Sequence, residues 1–228
     1  MASWEVLNRD EHAALKVSRS CDGTRHFAQI VAAEFCLAAP YFPILFTKHP
    51  ETGAFYAGVI LGLKPGENLF ADKGCLLNYR PADLERQGFF TSEAGIVIDR
   101  DHPAFAAADG EPIFSIDGDA APALKRVQQA LYMLEKGVPA TDLLIQRFLA
   151  LDLIEPIDVS FDFDDGERTR LDGLYSISLD RLHGLPDDSV LRLFRDGDLQ
   201  LAYAQTGSIR HLRTLGRTRN RSDQGVGL

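Results

Sequence analysis

The sequence predicts an α+β fold: a mostly antiparallel sheet with a helical hairpin and C-terminal helices packed on it. Three stretches carry that prediction. The first is Glu34 to Phe70, where Pro43 to Thr47 (PILFT) and Ala54 to Leu63 (AFYAGVILGL) are two apolar runs joined by KHPETG. Short apolar runs bounded by Pro and Gly read as strands, and runs without alternation read as covered on both faces. The second is the switch at Ala123 to a three-to-four spacing of Leu124, Val127, Leu131 and Leu134, which is helical. The third is Ile157 to Phe163 (IDVSFDF), which alternates apolar and polar residues as a half-buried strand does.

The other elements follow in order. Trp4 to Leu7 reads as a strand, with Leu15 to Val17 as its partner. Gln29 to Ala39 is Ala-rich and reads as a buried helix ending before Pro40, with Glu34 its one charge. Gly58 and Gly62 inside the second apolar run mark a bulge or a close backbone approach. Pro81 and Gly88 bracket a short helix. Phe89 to Ser92 and Gly95 to Asp99 form two strands about a tight turn. Arg100 to Pro122 is a structured loop rich in breakers, extended near Ile113 to Ile116. Gly137 closes the first long helix, and Thr141 or Asp142 caps a second that runs to Leu151. Asp165-Gly166 turns the alternating strand back, and Leu174 to Ile177 completes a three-strand meander. Short helices follow from Ser178 and from Pro186, and a last one spans Asp198 to Leu215.

With 45% hydrophobic and 25% charged residues, the 228-residue composition is that of a globular protein. A chain of this length buries about 70% of its unfolded surface, enough for one core or for two lobes. The net charge is −9 and the pI about 5.1, which argues against nucleic acid as a partner. The charge is uneven. Arg210, Arg213, Arg217, Arg219 and Arg221 fall in 209–221 with no acid, so removing these five arginines from −9 leaves −14 on the rest. A basic end on an acidic body suits an acidic partner; it also suits a solvated, fraying terminus. Cys21, Cys36 and Cys75 make neither a disulfide framework nor a zinc set, and Cys36 reads as a core residue. This usage fits a reducing compartment. The opening MASWEVLNRDEHAAL lacks the basic and apolar segments of a secretory signal, and no apolar run is long enough for a membrane span. The sequence therefore predicts a cytoplasmic protein.

The chemistry signals are sparse. There is no glycine-rich phosphate loop, no Walker sequence and no GxSxG elbow. Neither a calcium loop nor HExxH is present. His49-Pro50-Glu51 has the His-x-acid pattern of an iron triad but sits in a turn. The candidate ligand-binding residues are Glu34, Glu67, Asn68 and Tyr175. Glu34 is an acid on an apolar helix, which is either paired or faces water. Glu67 and Asn68 lie in the loop after the central strand, where sites are common, and Asn68 also suits a turn cap. Tyr175 brings a ring to the core and a hydroxyl that seeks a partner.

Six blocks in order, EFCLAAPYFPILF, VILGLKPGENLF, LLNYRPADLERQGFF, GEPIFSIDGDAAPAL, LDLIEPIDVSFDFDDGERTRLDGLYSIS and LRLFRDGDLQLAYAQTGSIRHL, resemble the SapC-like family over residues 5 to 215. The family takes its name from a protein encoded alongside bacterial surface-layer genes. The resemblance implies bacterial cytoplasmic proteins encoded beside flavin-dependent halogenase-like and cupin-like proteins. It offers no agreed catalytic residues; the residue chemistry adds the expectation of no cofactor and no metal site. With the residue chemistry, it yields one domain over 4–215 and a basic, disordered tail over 216–228. The expected function is non-catalytic: an accessory protein that recognises a peptide or protein partner and supports peptide- or protein-modifying enzymes. A halogenase-like or cupin-like enzyme is a candidate partner, and a homodimer a candidate assembly. The alternatives are a metal- or oxygen-dependent enzyme using His49 with Glu51 or Glu34, and a cytoplasmic component of surface-layer export.

Overall fold

A computed structural model describes residues 3–19, 23–70, 79–106 and 110–224. The chain forms β1 (Trp4–Val6), α1 (Arg9–His12), β2 (Lys16–Val17), β3 (Phe27–Gln29), α2 (Phe35–Ala38), β4 (Ile44–Lys48) and β5 (Phe55–Ile60). Then come α3 (Ala82–Glu85), β6 (Phe89–Ser92), β7 (Gly95–Asp99), β8 (Glu111–Pro112), α4 (Pro122–Ala150), β9 (Ile154–Pro156), β10 (Val159–Asp162) and β11 (Arg168–Leu171). The chain closes with β12 (Tyr175–Ile177), α5 (Leu179–His183), α6 (Asp187–Asp196), α7 (Asp198–Ser208) and α8 (Arg210–Gln224). All strand pairs among the described residues are antiparallel, and the class is α+β as predicted. The segment expected as one domain, 4–215, resolves into two compact units, each assembled from two stretches of chain.

The first unit comprises Met1–Asp22 and Ala71–Lys136. Its sheet has the order β1-β7-β6. The sequence predicts that Leu15 to Val17 pairs with the first strand; instead β1 pairs with β7, and β2 with β8. The cause is local. The Asn8 side chain caps α1 by accepting from the Glu11 N–H at 2.8 Å, and this helical turn carries β2 away from β1. Phe89, Ile98, Ile113, Leu124 and Val127 form the core of this unit.

The second unit comprises Gly23–Phe70 and Gly137–Leu228. Its five-stranded sheet runs β3-β5-β4-β12-β9, so the predicted β4–β5 hairpin is central. Gly58 and Gly62 are close approaches, as their positions predict. A Cβ at Gly58 would lie 2.0 Å from the Phe27 ring, and one at Gly62 would lie 2.1 Å from the Glu67 carbonyl oxygen. β4 and β12 share a single register pair, Tyr175 with Phe46. Beyond it α7 supplies the missing partners. Gln205 Oε1 accepts from the Ile177 N–H at 3.0 Å, and its Nε2 donates to the Ile44 carbonyl at 2.8 Å. Ser208 Oγ accepts from the Ile44 N–H at 2.9 Å.

Several expectations are corrected here. The Ala-rich helix is shorter than predicted: Phe27–Gln29 is strand β3, and only a 3₁₀ turn (Ala32–Glu34) and α2 are helical. Cys36 is exposed, not core, because α2 buries Phe35 and Ala38 instead. Cys21 and Cys75 lie outside the described residues. The helical hairpin is one helix of 29 residues, α4, which runs through Gly137 and Pro139. The three-strand meander is divided: β10 and β11 form a separate two-stranded sheet, and β12 joins the larger one. The last helix breaks at Ile209 into α7 and α8. Residues 216–224, expected to be disordered, continue α8, whose Leu212, Leu215 and Arg219 are buried. No helix among the described residues is long and apolar enough to cross a membrane.

Candidate functional site

A cleft of about 830 Å3 in the second unit has two walls. One is the run Ile157–Phe161 leading into and along β10; the other is Ile209 to Thr214 with Arg217, on and just before α8. The local sequence explains both. Alternation in IDVSFDF half-buries Ile157, Val159 and Phe161 and leaves Asp158, Ser160 and Asp162 exposed. Asp165 Oδ1 accepts the Glu167 N–H at 2.8 Å, and Gly166 adopts φ +86° in the turn that joins β10 to β11.

Arg219 ties α8 to that turn. Its guanidinium donates to Asp165 at 3.1 Å and to Glu167, and it lies 4.0 Å from the centre of the Phe163 ring. The Asp165 carboxyl is held below its ordinary range, first by the Glu167 N–H and then by Arg219. Gly216 permits close packing, since a Cβ there would fall 2.9 Å from the Phe161 ring.

With Leu212 and Leu215 turned inward, the helical period puts Arg210, Arg213, Thr214 and Arg217 on the exposed side of α8. Arg147, Arg168, Arg170, Arg181 and Arg219 of the same unit each meet a carboxylate. Arg210, Arg213 and Arg217 have no carboxylate within 4.0 Å among the described residues, and all three line the cleft. His211 sits beside them. Its Nε2–H donates to the Ala39 carbonyl at 3.0 Å, and burial pushes its pKa below the ordinary histidine value. The cleft thus joins an apolar floor to three cationic side chains. Arginine guanidinium groups have the charge and the donor geometry to pair with carboxylates.

The four residues singled out from the sequence do not line this cleft. Glu34 is fully buried, and its Oε2 accepts the Val31 N–H at 2.9 Å at the start of a helical turn, where the dipole favours an acid. Glu67 Oε2 accepts the Leu63 N–H at 2.7 Å and so closes its own loop. Asn68 Oδ1 accepts the Phe70 N–H at 2.9 Å, a side-chain turn. Glu67 and Asn68 therefore share one loop. Tyr175 packs edge-on against Phe55, ring centres 4.8 Å apart, with the Lys48 ammonium 5.1 Å from its ring centre. A second hollow of about 480 Å3 includes Lys64 and Leu174, neighbours of that loop and of Tyr175, together with Tyr56 and Arg170. His49 Nδ1 accepts the Glu51 N–H at 3.3 Å in the hairpin turn. Among the described residues no three His, Cys, Asp or Glu side chains gather as a metal-holding group.

The cleft's signal is present in the sequence. Arginines at 210, 213 and 217 with leucines at 212 and 215 are an amphipathic helix face, so the cationic run is ordered where a fraying terminus also fits. Its facing strand is distant in sequence, and only the fold brings the two together. The protein-family model described as SapC matches residues 7–215. No curated protein matches the chain, and no solved structure matches it.

Proposed function

The chain belongs to the SapC family, and within it we propose a binding protein that recognises a carboxylate-rich peptide or protein segment in the cleft between β10 and α8. One observation carries this reading: Arg210, Arg213 and Arg217 line one cleft, exposed, with no carboxylate partner among the described residues. Neighbouring arginines do have such partners. Three like charges on one helix face repel one another, and an anionic ligand relieves that cost. Without these three arginines the chain carries −9 minus 3, or −12, which disfavours nucleic acid elsewhere on the surface. We place the protein in the cytoplasm, as an accessory that presents such a segment to a peptide- or protein-modifying enzyme. This role rests on the family setting.

The test uses the full chain and a fluorescent peptide that alternates glutamate and threonine. Native protein is expected to bind it saturably, and binding should weaken as salt rises. The combined substitution Arg210→Gln, Arg213→Gln and Arg217→Gln alters only exposed side chains and should keep the circular dichroism of the parent. It is expected to lower affinity at least about tenfold. No saturable binding by the native protein, or equal binding by the folded variant, overturns the proposal.

A further inference from the structure

Resting on that reading, we infer how the acidic segment is held: it adds to the open edge of β10 as an extra strand. Three observations lead there. First, among the described residues β10 pairs only with β11, in a two-stranded sheet, so one edge of β10 has no described strand beside it. Second, the ladder can be phased. Phe163 N–H donates to the Glu167 carbonyl at 2.9 Å, in register with the β10–β11 pairs. Hydrogen-bonded and non-bonded pairs alternate in an antiparallel ladder. Hence Phe161 and Val159 turn their backbone groups toward β11, and Ser160 and Asp162 turn theirs outward. Third, the cleft wall is a consecutive run of residues up to Phe161. A strand seen face-on shows every second residue; a consecutive run is a strand seen along its edge.

The dimensions agree. From Arg210 to Arg217 the helix rises about 10 Å at about 1.5 Å per residue. Side chains on one face of a strand recur about every 7 Å. An added strand would therefore set about two or three same-face acids against the arginines. Its other face would continue the surface on which Asp158 pairs with Arg170 and Asp162 with Arg168, a charge-compensated surface that suits neutral residues. The recognised chemistry is an extended segment with carboxylates at every second position and neutral residues between. Backbone pairing supplies affinity and the arginines supply register, the division of labour in strand addition.

The experiment compares the glutamate–threonine peptide with two isomers, N-methylated either at the glutamates or at the threonines. Charge is identical in the two, but each lacks one set of backbone donors. One isomer is expected to bind the full chain at least about tenfold more weakly than the other, because only alternate N–H groups face β10. Hydrogen exchange of native protein should show the Ser160 and Asp162 amides slowed on peptide addition. If both isomers bind as the parent does and those amides exchange unchanged, strand addition is overturned while acidic recognition stands. If the unmethylated peptide fails to bind, or ignores the triple arginine substitution, the underlying proposal fails as well.

Discussion

Gly137 lies against Val31: a Cβ built on Gly137 would fall 2.6 Å from the Val31 side chain. This contact explains why a glycine stands inside α4. Alanine at an exposed mid-helix site is ordinarily more stable than glycine by about 1 kcal/mol. At 137 the added methyl must displace a β-branched, stiff side chain, and overpacking of that kind costs about 1–3 kcal/mol. Gly137→Ala is therefore expected to destabilise the protein. Gly207 in α7 is the control, since nothing lies within 4 Å of a Cβ built there. Gly207→Ala should stabilise by about 0.5–1 kcal/mol. Urea denaturation of both variants checks the opposite signs; a stabilised Gly137→Ala would contradict the contact.

Gln205 is fully buried and serves both β4 and β12. Gln205→Leu keeps most of the volume but leaves the Ile177 N–H and the Ile44 carbonyl without this partner. An unsatisfied buried polar group costs about 1–3 kcal/mol, so the pair predicts a loss of about 2–6 kcal/mol. Faster hydrogen exchange at the Ile177 amide should accompany it. A loss under about 0.5 kcal/mol would show that the strands close on each other when the amide is removed.

Much of the fold is legible in the sequence because it depends on short-range patterns. The β4–β5 hairpin, the β6–β7 hairpin and the β10–β11 turn all follow from apolar runs and from Asp-Gly or Pro and Gly punctuation. What fails is decided by distant residues. Gly137 reads as a helix end, yet Val31 requires the glycine, and the Thr141 hydroxyl donates to the Gly137 carbonyl at 2.7 Å while it accepts the Ala32 N–H at 2.8 Å. The assignment of β12 to the larger sheet depends on Gln205 in the same way. The sequence points first to other residues, for a further reason. Glu34, Glu67 and Asn68 are conspicuous because polar groups among apolar residues need partners, and backbone N–H groups of their own segments are partners enough. The arginines of α8 are legible in sequence as a cationic helix face, but only the fold sets them opposite β10.

Arg147 on α4 grips Asp198 at the start of α7 with two bonds, Nε to Oδ2 at 2.5 Å and an Nη to Oδ1 at 2.8 Å. The Asp198 side chain is 3% exposed and that of Arg147 45%. The partly wet guanidinium tempers the Coulombic gain, but the buried carboxylate has few alternatives. The hydrogen bond to Asp198 raises the Arg147 pKa, consistent with a held cation. Asp198→Asn is expected to cost about 1–3 kcal/mol. Arg147→Met should cost at least as much, because it strands the buried charge. If Arg147→Met were neutral at pH 7, the pair would be a surface contact without energetic weight.

His211 makes stability depend on pH. Burial, foremost, and Arg210 lower its folded pKa below the ordinary 6.5, against the upward pull of the Ala39 carbonyl. The groups in its cleft are Asp158, Arg210, Arg213 and Arg217, so cations outnumber the acid. Between the folded and unfolded pKa the unfolded chain binds more protons than the native one, so stability rises with pH there. The contribution of neutral His211 is whole above about pH 6.5 and is lost as pH falls from there through the folded value. One proton limits the slope to about 1.4 kcal/mol per pH unit. His211→Gln keeps an N–H donor for Ala39 without the titration, and should flatten stability as pH falls below about 6.5 relative to the parent. Urea midpoints across that range, with the imidazole titration followed by NMR, test this. Equal slopes in parent and variant, or an imidazole pKa above 6.5, would reverse the assignment of His211 as a half-buried neutral donor.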